Sequence, residues 1–260
     1  MASRESNRVL IGIACEDEQH CRVATRLVDV ACTASHGGLS ELVESCRTWR
    51  GLREDQPWYK YDPKDARDLR PVRVDGMTIK RHGHIDGKPL LPEASMWRNV
   101  LMLFHQLDPR PDVVLLVRDL DGYQKRKQGL DQVRHGFRWD FAVVAATPQP
   151  EIEAWYVAGF DPQDGAEERR LGGLRKKLSF DPTKESHRLT AHPNDAVTDA
   201  KVVLEELCAG DPERELACLD DLSCLRQRGR ENGLCAFLGE VDEVIVRRIV
   251  GLARSRAKGP

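Results

Sequence analysis

Three short apolar runs, each ending in carboxylates, limit what this chain can fold into more than any other feature. The central one is Val113-Val114-Leu115-Leu116-Val117, bounded by Pro111 and by Asp119, Asp121 and Gly122. A run this short, apolar and β-branched reads as a strand buried on both faces, as in parallel sheets covered by helices. Its carboxylates stand at the C-terminal end, where open α/β sheets bind ligands. Two acids at i and i+2 on extended backbone can converge on one hard cation. They can equally cap a helix and shape a turn.

The other two runs repeat the pattern. Arg8 to Ala14 is a strand candidate followed by Cys15-Glu16-Asp17-Glu18-Gln19-His20, and Cys21 to Ala34 then carries Val23, Leu27, Val28 and Ala31 at helical spacing. Trp139 to Ala146 supplies the third strand, with Glu151 and Glu153 close behind, and Pro150 suits the first position of the following helix. Pro92 to Leu107 and Tyr123 to Phe137 read as the intervening helices. The second of these is basic at its start, with Lys125, Arg126 and Lys127. Strand and helix alternating in this way predict an α/β fold with a mostly parallel, doubly wound sheet flanked by helices. All three acidic loops then share one sheet edge, and a common metal site is expected there.

Between these units, Leu39 to Arg50 is expected to be a helix. Residues 72–80 are expected to form a hairpin around Asp75-Gly76, inside a locally basic stretch with Arg70, Arg73, Lys80, Arg81, His82 and His84. Beyond residue 160 the strand signal stops. Helices are expected over 166–178, 197–208, 212–228 and 241–254. The chain thus divides into an α/β core, residues 1–160, and a helical C-terminal extension, 161–260, packed on the sheet or on a partner.

Composition excludes several classes. The formal net charge is −2, so contact with nucleic acid must rest on a local patch and not on whole-molecule attraction. No apolar run approaches a membrane span or a secretory leader, which points to a cytoplasmic protein with no membrane partner. The eight cysteines show no C-x-x-C spacing and are expected to be reduced.

Taken together, Glu16 after the first strand, Asp119 and Asp121 in D-L-D-G after a later one, and P-E-I-E-A-W after the next resemble a TOPRIM domain. More narrowly they resemble the small stand-alone TOPRIM proteins related to the nuclease half of OLD-type enzymes. The family's first motif usually reads E-G-x-x-E; here Asp17 replaces the glycine and His20 stands at the second acid. The resemblance covers residues 8 to 160 and implies a hydrolase cutting phosphodiester bonds of DNA or RNA. It implies one or two Mg²⁺ (or Mn²⁺) ions held by Asp119, Asp121 and Glu153, with Glu151 nearby. Glu16 would be a ligand or the general base, His20 a proton carrier, and Lys125, Arg126 and Lys127 a clamp on the nucleic-acid backbone. A tyrosyl route through Tyr123 is disfavoured, because topoisomerases take their tyrosine from a separate domain.

OLD-like nucleases often act with an ATPase, sometimes in anti-phage defence. No Walker A pattern occurs here, so an ABC- or AAA-type ATPase would be a separate chain; a homo-oligomer is also compatible. Two alternatives stand beside the nuclease. One is a regulatory or interaction subunit whose site is degenerate. The other is a HAD-type phosphatase with Asp119 as nucleophile and Asp121 as acid/base, although a complete strand–acid–helix unit precedes that motif here.

Overall fold

Strand β1 (Val9–Cys15) is the spine of a five-stranded sheet in which every ladder is parallel. The computed structural model describes residues 8–35, 40–61, 73–74, 77–78, 84–85, 88–191 and 197–257. On one edge of β1, β2 (Arg47–Arg50) pairs with Val9 to Gly12, and β3 (Tyr59–Lys60) pairs with Ala14 and Cys15. On the other edge lies β8 (Val113–Val117), which pairs in turn with β9 (Ala142–Ala146). The chain therefore leaves β1 toward β2 and returns to β8 on the opposite side. That reversal places a crevice between the C-terminal ends of β1 and β8, the position where α/β sheets hold ligands.

Side chains alternate across the sheet and feed two cores. Ile11, Ile13, Val113, Leu115 and Val117 face α1 (Glu18–Ser35) and the C-terminal helices. Val114, Leu116 and Ala145 face Trp97, Leu101 and Phe104 of α3 (Pro92–His105) and Leu130 and Val133 of α4 (Gln124–His135). Burial on both faces explains why the strand runs are wholly apolar and do not alternate. The C-terminal helices, from α6 (Gly165–Leu178) onward, pack on the sheet. Phe237 and Leu238 of α10 (Leu234–Glu240), Val203 and Leu207 of α7 (Ala200–Cys208), and Trp155 belong to one continuous core with β1 and β8. No helix among the described residues is long and apolar enough to cross a membrane.

Several boundaries differ from expectation. Helix α2 covers only Ser40–Ser45, and Arg47–Arg50 is the strand β2. Thr48 and Trp49 favour extended backbone, and the edge of β1 offers a full ladder that a helix could not use. The 212–228 segment is two helices, Pro212–Ala217 (α8) and Leu222–Arg228 (α9). The break is capped by the Asp221 carboxylate, which accepts from the Ser223 and Cys224 amides. The last helical region starts at Leu234, earlier than expected, and passes through a π turn at Val241–Val246 before α11 (Arg247–Ala257). Pro150 precedes its helix, since α5 spans Glu153–Gly159. The expected hairpin is present as Arg73–Val74 (β4) paired antiparallel with Met77–Thr78 (β5), while most of the surrounding basic stretch lies outside the described residues. A second small ladder joins His84–Ile85 (β6) to Lys88–Pro89 (β7). All eight cysteines are free.

Gly12, in the middle of β1, lets α3 approach the sheet. A Cβ added there would sit 2.7 Å from the fully buried Phe104 ring. Gly12→Ala is expected to destabilise the fold by about 1–3 kcal/mol through overpacking. The same change made in a Phe104→Ala background should cost measurably less, because the obstructing ring is gone. Urea denaturation of the four-member cycle reads the difference; strict additivity would contradict the contact.

Candidate functional site

The crevice between β1 and β8 is a cavity of about 330 Å³. Its walls carry Glu16, Asp17 and His20 from the end of β1 and the start of α1, and Asp119, Asp121 and Tyr123 from the loop after β8. Glu151 and Glu153 come from the loop after β9, and Lys201 from the helical C-terminal region. Every carboxylate singled out in the sequence thus lines one cavity, although Glu16 lies 103 residues before Asp119 and Asp119 lies 32 before Glu151.

Backbone pairing continues past the strands and brings these loops together. The Arg118 amide donates to Ala146 O, Leu120 N to Pro148 O and Asp121 N to Pro150 O, at 2.8–2.9 Å. The loop bearing Asp119 and Asp121 is therefore zipped to the loop bearing Glu151. From beneath, Asn232 anchors the same segment. Its carbonyl accepts from Gln149 N and Trp155 Nε1, and its side-chain amide donates to Ala154 O and Ser186 Oγ. The next residue, Gly233, has φ 88°, and a Cβ there would lie 2.4 Å from Thr147 O. Only glycine fits that backbone and that spacing.

His20 is a buried ring held between two carboxylates. Its Nδ1 lies 2.7 Å from Asp17 Oδ1 and its Nε2 lies 2.9 Å from Asp119 Oδ2, with Glu16 Oε2 at 3.8 Å. Burial opposes the charged ring, but hydrogen bonds to Asp119 and Asp17 outweigh it and lift its pKa to about 10. The hydrogen bond from His20 in turn brings the Asp17 carboxyl down to about 2. Asp17 also caps α1, accepting the His20 amide at 3.0 Å.

Glu151 and Glu153 behave oppositely. They are only 4 % and 3 % exposed. Burial, then repulsion from Glu153, pushes the Glu151 carboxyl up to about 8; burial pushes Glu153 up to about 7. Lys201 Nζ stands 3.5 Å from Glu151 and 3.9 Å from Glu153, and it opposes both shifts. Burial disfavours its own charge, but the two glutamates prevail and raise its pKa.

Glu16 and Asp121 are tied down by arginines. One Glu16 oxygen contacts Arg118, which also reaches Glu93 at 3.2 Å. Asp121 contacts Arg126, whose guanidinium also donates to the Asp119 carbonyl at 2.9 Å. Arg126 is thereby engaged inside the protein. Of the expected backbone clamp, only Lys125 and Lys127 are exposed without an ion pair among the described residues.

These donors fit a divalent cation. One ligand atom from each of Glu16, His20 and Asp119 lies within 4.8 Å of the other two. Three buried carboxylate oxygens, Asp119 Oδ1, Glu151 Oε1 and Glu153 Oε2, find no hydrogen-bond donor. Such oxygens carry a desolvation penalty that a hard cation relieves. No family model matches the chain, and neither a curated protein nor a solved structure matches it.

Lys201 is the member of the site missed by sequence reasoning. One signal pointed to it. Asp199 caps α7 by accepting the amides of Lys201 and Val202, so Lys201 sits in a first helical turn, where the helix dipole disfavours a cation. A lysine there needs another reason, and the two glutamates supply it.

Two outcomes follow from these charges. Folded Glu151 and Glu153 keep their protons up to about 8 and about 7, whereas the unfolded chain releases them near 4.5. Folded His20 keeps its proton up to about 10, against 6.5 unfolded. Across these windows the folded state binds more protons than the unfolded one, so stability falls as pH rises. Without divalent cations the melting temperature should drop between about pH 5 and about pH 9. Mn²⁺ should raise it more at the alkaline end, where it displaces fewer protons; equal Mn²⁺ shifts at both ends would argue against the acids as its ligands. Separately, Asn232→Ala leaves buried polar groups unpaired and should cost about 2–4 kcal/mol in urea denaturation, with the Mn²⁺ shift reduced because Glu151 and Glu153 lose their support.

Proposed function

We propose that this chain is a metal-dependent phosphodiesterase acting on nucleic acid, a TOPRIM-like nuclease using Mg²⁺ or Mn²⁺. The observation that carries the reading is the convergence of Glu16, His20, Asp119, Asp121, Glu151 and Glu153 in one cavity, with buried carboxylate oxygens that lack donors. Once ionised, these carboxyl groups offer a phosphate no donors of their own, and bound cations would turn such a cavity into a site for an anion.

Glu16, His20 and Asp119 would hold one ion, and Asp119 with Glu151 and Glu153 a second. Mg²⁺ or Mn²⁺ held there would supply Lewis-acid stabilisation of a phosphate and a more acidic water. The protein's own groups then divide the remaining work. Arg118 fixes Glu16 by one oxygen and leaves the other facing His20 and Asp119. That pairing suits Glu16 as a ligand better than as a base, since its charge is already matched. His20, its ring oriented by Asp17 through Nδ1, would present Nε2 beside Asp119 as the nitrogen ligand, giving up its proton when the ion binds. Lys201 brings the cation that can meet charge developing on the phosphate. Lys125 and Lys127, exposed at the start of α4, are the free charges available to the flanking backbone. An ATPase partner, a role in phage defence, self-association and a cytoplasmic location rest on the sequence and its TOPRIM resemblance.

One observation favours a second reading, a regulatory subunit with a degenerate site. Arginines already neutralise Glu16 and Asp121. The two readings separate in a cleavage assay on plasmid and single-stranded DNA and RNA, with Mg²⁺ or Mn²⁺ against EDTA. The nuclease reading expects metal-dependent cutting, abolished by Asp119→Ala. It also expects cutting to be slowed about 10²–10³-fold in kcat by Lys201→Ala, the usual worth of one transition-state donor. Binding without cutting under either metal would favour the regulatory subunit.

A further inference from the structure

We infer that Tyr123 is a stacking platform for the base beside the reacting phosphate, and that the site takes unpaired, single-stranded nucleic acid. This deepens the phosphodiesterase reading and rests on it. Tyr123 lines the acidic cavity, yet 57 % of it is exposed, the largest value among the exposed large hydrophobic residues described. The backbone places it there deliberately in physical terms. Asp121 (φ 46°) and Gly122 (φ 75°) are both left-handed, and the Tyr123 amide closes the turn on Leu120 O at 2.7 Å. A non-glycine residue at positive φ is a costly conformation, and here it brings an aromatic ring to the rim beside the carboxylates.

The ring is also braced. The Arg126 guanidinium carbon lies 5.2 Å from its centroid, and that guanidinium is itself fixed by Asp121, the Asp119 carbonyl and Glu93. A ring held by a cation loses little freedom when a base stacks on it, so more of the stacking energy appears as affinity. Every base offers a π-face, so such a platform selects for an unstacked base and not for a sequence. Burial points the same way. Asp119, Glu151 and Glu153, at the floor, are at most 8 % exposed. A phosphate that reaches them while its neighbouring base lies on the rim tyrosine must belong to a strand free to splay. A paired strand keeps its bases turned into the duplex.

The test is fluorescence of a short DNA single strand carrying 2-aminopurine, with Ca²⁺ replacing Mg²⁺ to hold the complex uncut. The unlabelled single strand of RNA and the matching DNA duplex serve as competitors. Wild type and Tyr123→Phe should quench the probe. Tyr123→Ala should lose the quench and bind about tenfold more weakly, the order expected for one stacked base. The duplex should compete poorly, and the RNA competitor reports which sugar the site accepts. An unchanged quench in Tyr123→Ala, a Phe variant that behaves like Ala, or a duplex that competes as well as the single strand would each overturn the inference. The parent reading fails separately. Tyrosine-dependent quenching with no cleavage under Mg²⁺ or Mn²⁺ leaves the platform and removes the nuclease. Metal-dependent cleavage of duplex and single strand alike, indifferent to Tyr123→Ala, does the reverse. No binding to any nucleic acid ends both.

Discussion

The structure depends on holding like charges together. Six carboxylates line one cavity at the C-terminal edge of the sheet, and three of them, Asp119, Glu151 and Glu153, are more than nine-tenths buried. At such separations mutual repulsion inside a partly dry cavity is severe. The protein answers it in three ways. Glu151 and Glu153 retain protons near neutrality. His20 takes a proton and sits between Asp17 and Asp119. Arg118, Arg126 and Lys201 approach from three different elements. Each answer leaves the cluster poised for a cation, because protons and flexible cationic groups can yield to a divalent ion.

Rigid backbone makes the cluster geometrically definite. The parallel ladder between β8 and β9 runs on as single hydrogen bonds through Leu120 and Asp121, well past the last strand residue. Asn232 and Gly233, from the far end of the chain, lock the loop that follows β9 from below. The acidic loops are thus extensions of the sheet. This rigidity matters, since a metal or phosphate site loosened by an ångström loses much of its effect. It also explains why the helices after residue 160 share a core with the strands: they carry the anchor and the lysine that complete the site.

The sequence and the structure agree most closely where the signal is local. Wholly apolar five-residue runs can be buried only within a covered sheet, so β1, β8 and β9 were legible in the chain, as were α1, α3 and α4 from their apolar spacing. The position of Glu16, Asp119, Asp121, Glu151 and Glu153 just after those strands made their shared edge legible too, because parallel strands with right-handed crossovers all end on one side. Local signals failed at β2 and β3. Thr48 and Trp49 only lean toward extended backbone, and Arg47–Arg50 becomes a strand because an edge of β1 is there to pair with it.

What the sequence determined by itself was therefore the layer architecture and the gathering of acids at one end of it, since both follow from periodicity and strand polarity. Tertiary structure alone decided which charges meet. Nothing local couples Arg118 to Glu16 or Lys201 to Glu151. Those pairs span 102 and 50 residues, and they depend on β1 lying beside β8 and on how the C-terminal helices pack on the sheet. The same holds for His20. Its place at the start of α1 could be read from the chain, but its burial between Asp17 and Asp119 required β1 and β8 to lie side by side, because electrostatic partnership is set by distance in space and not along the chain.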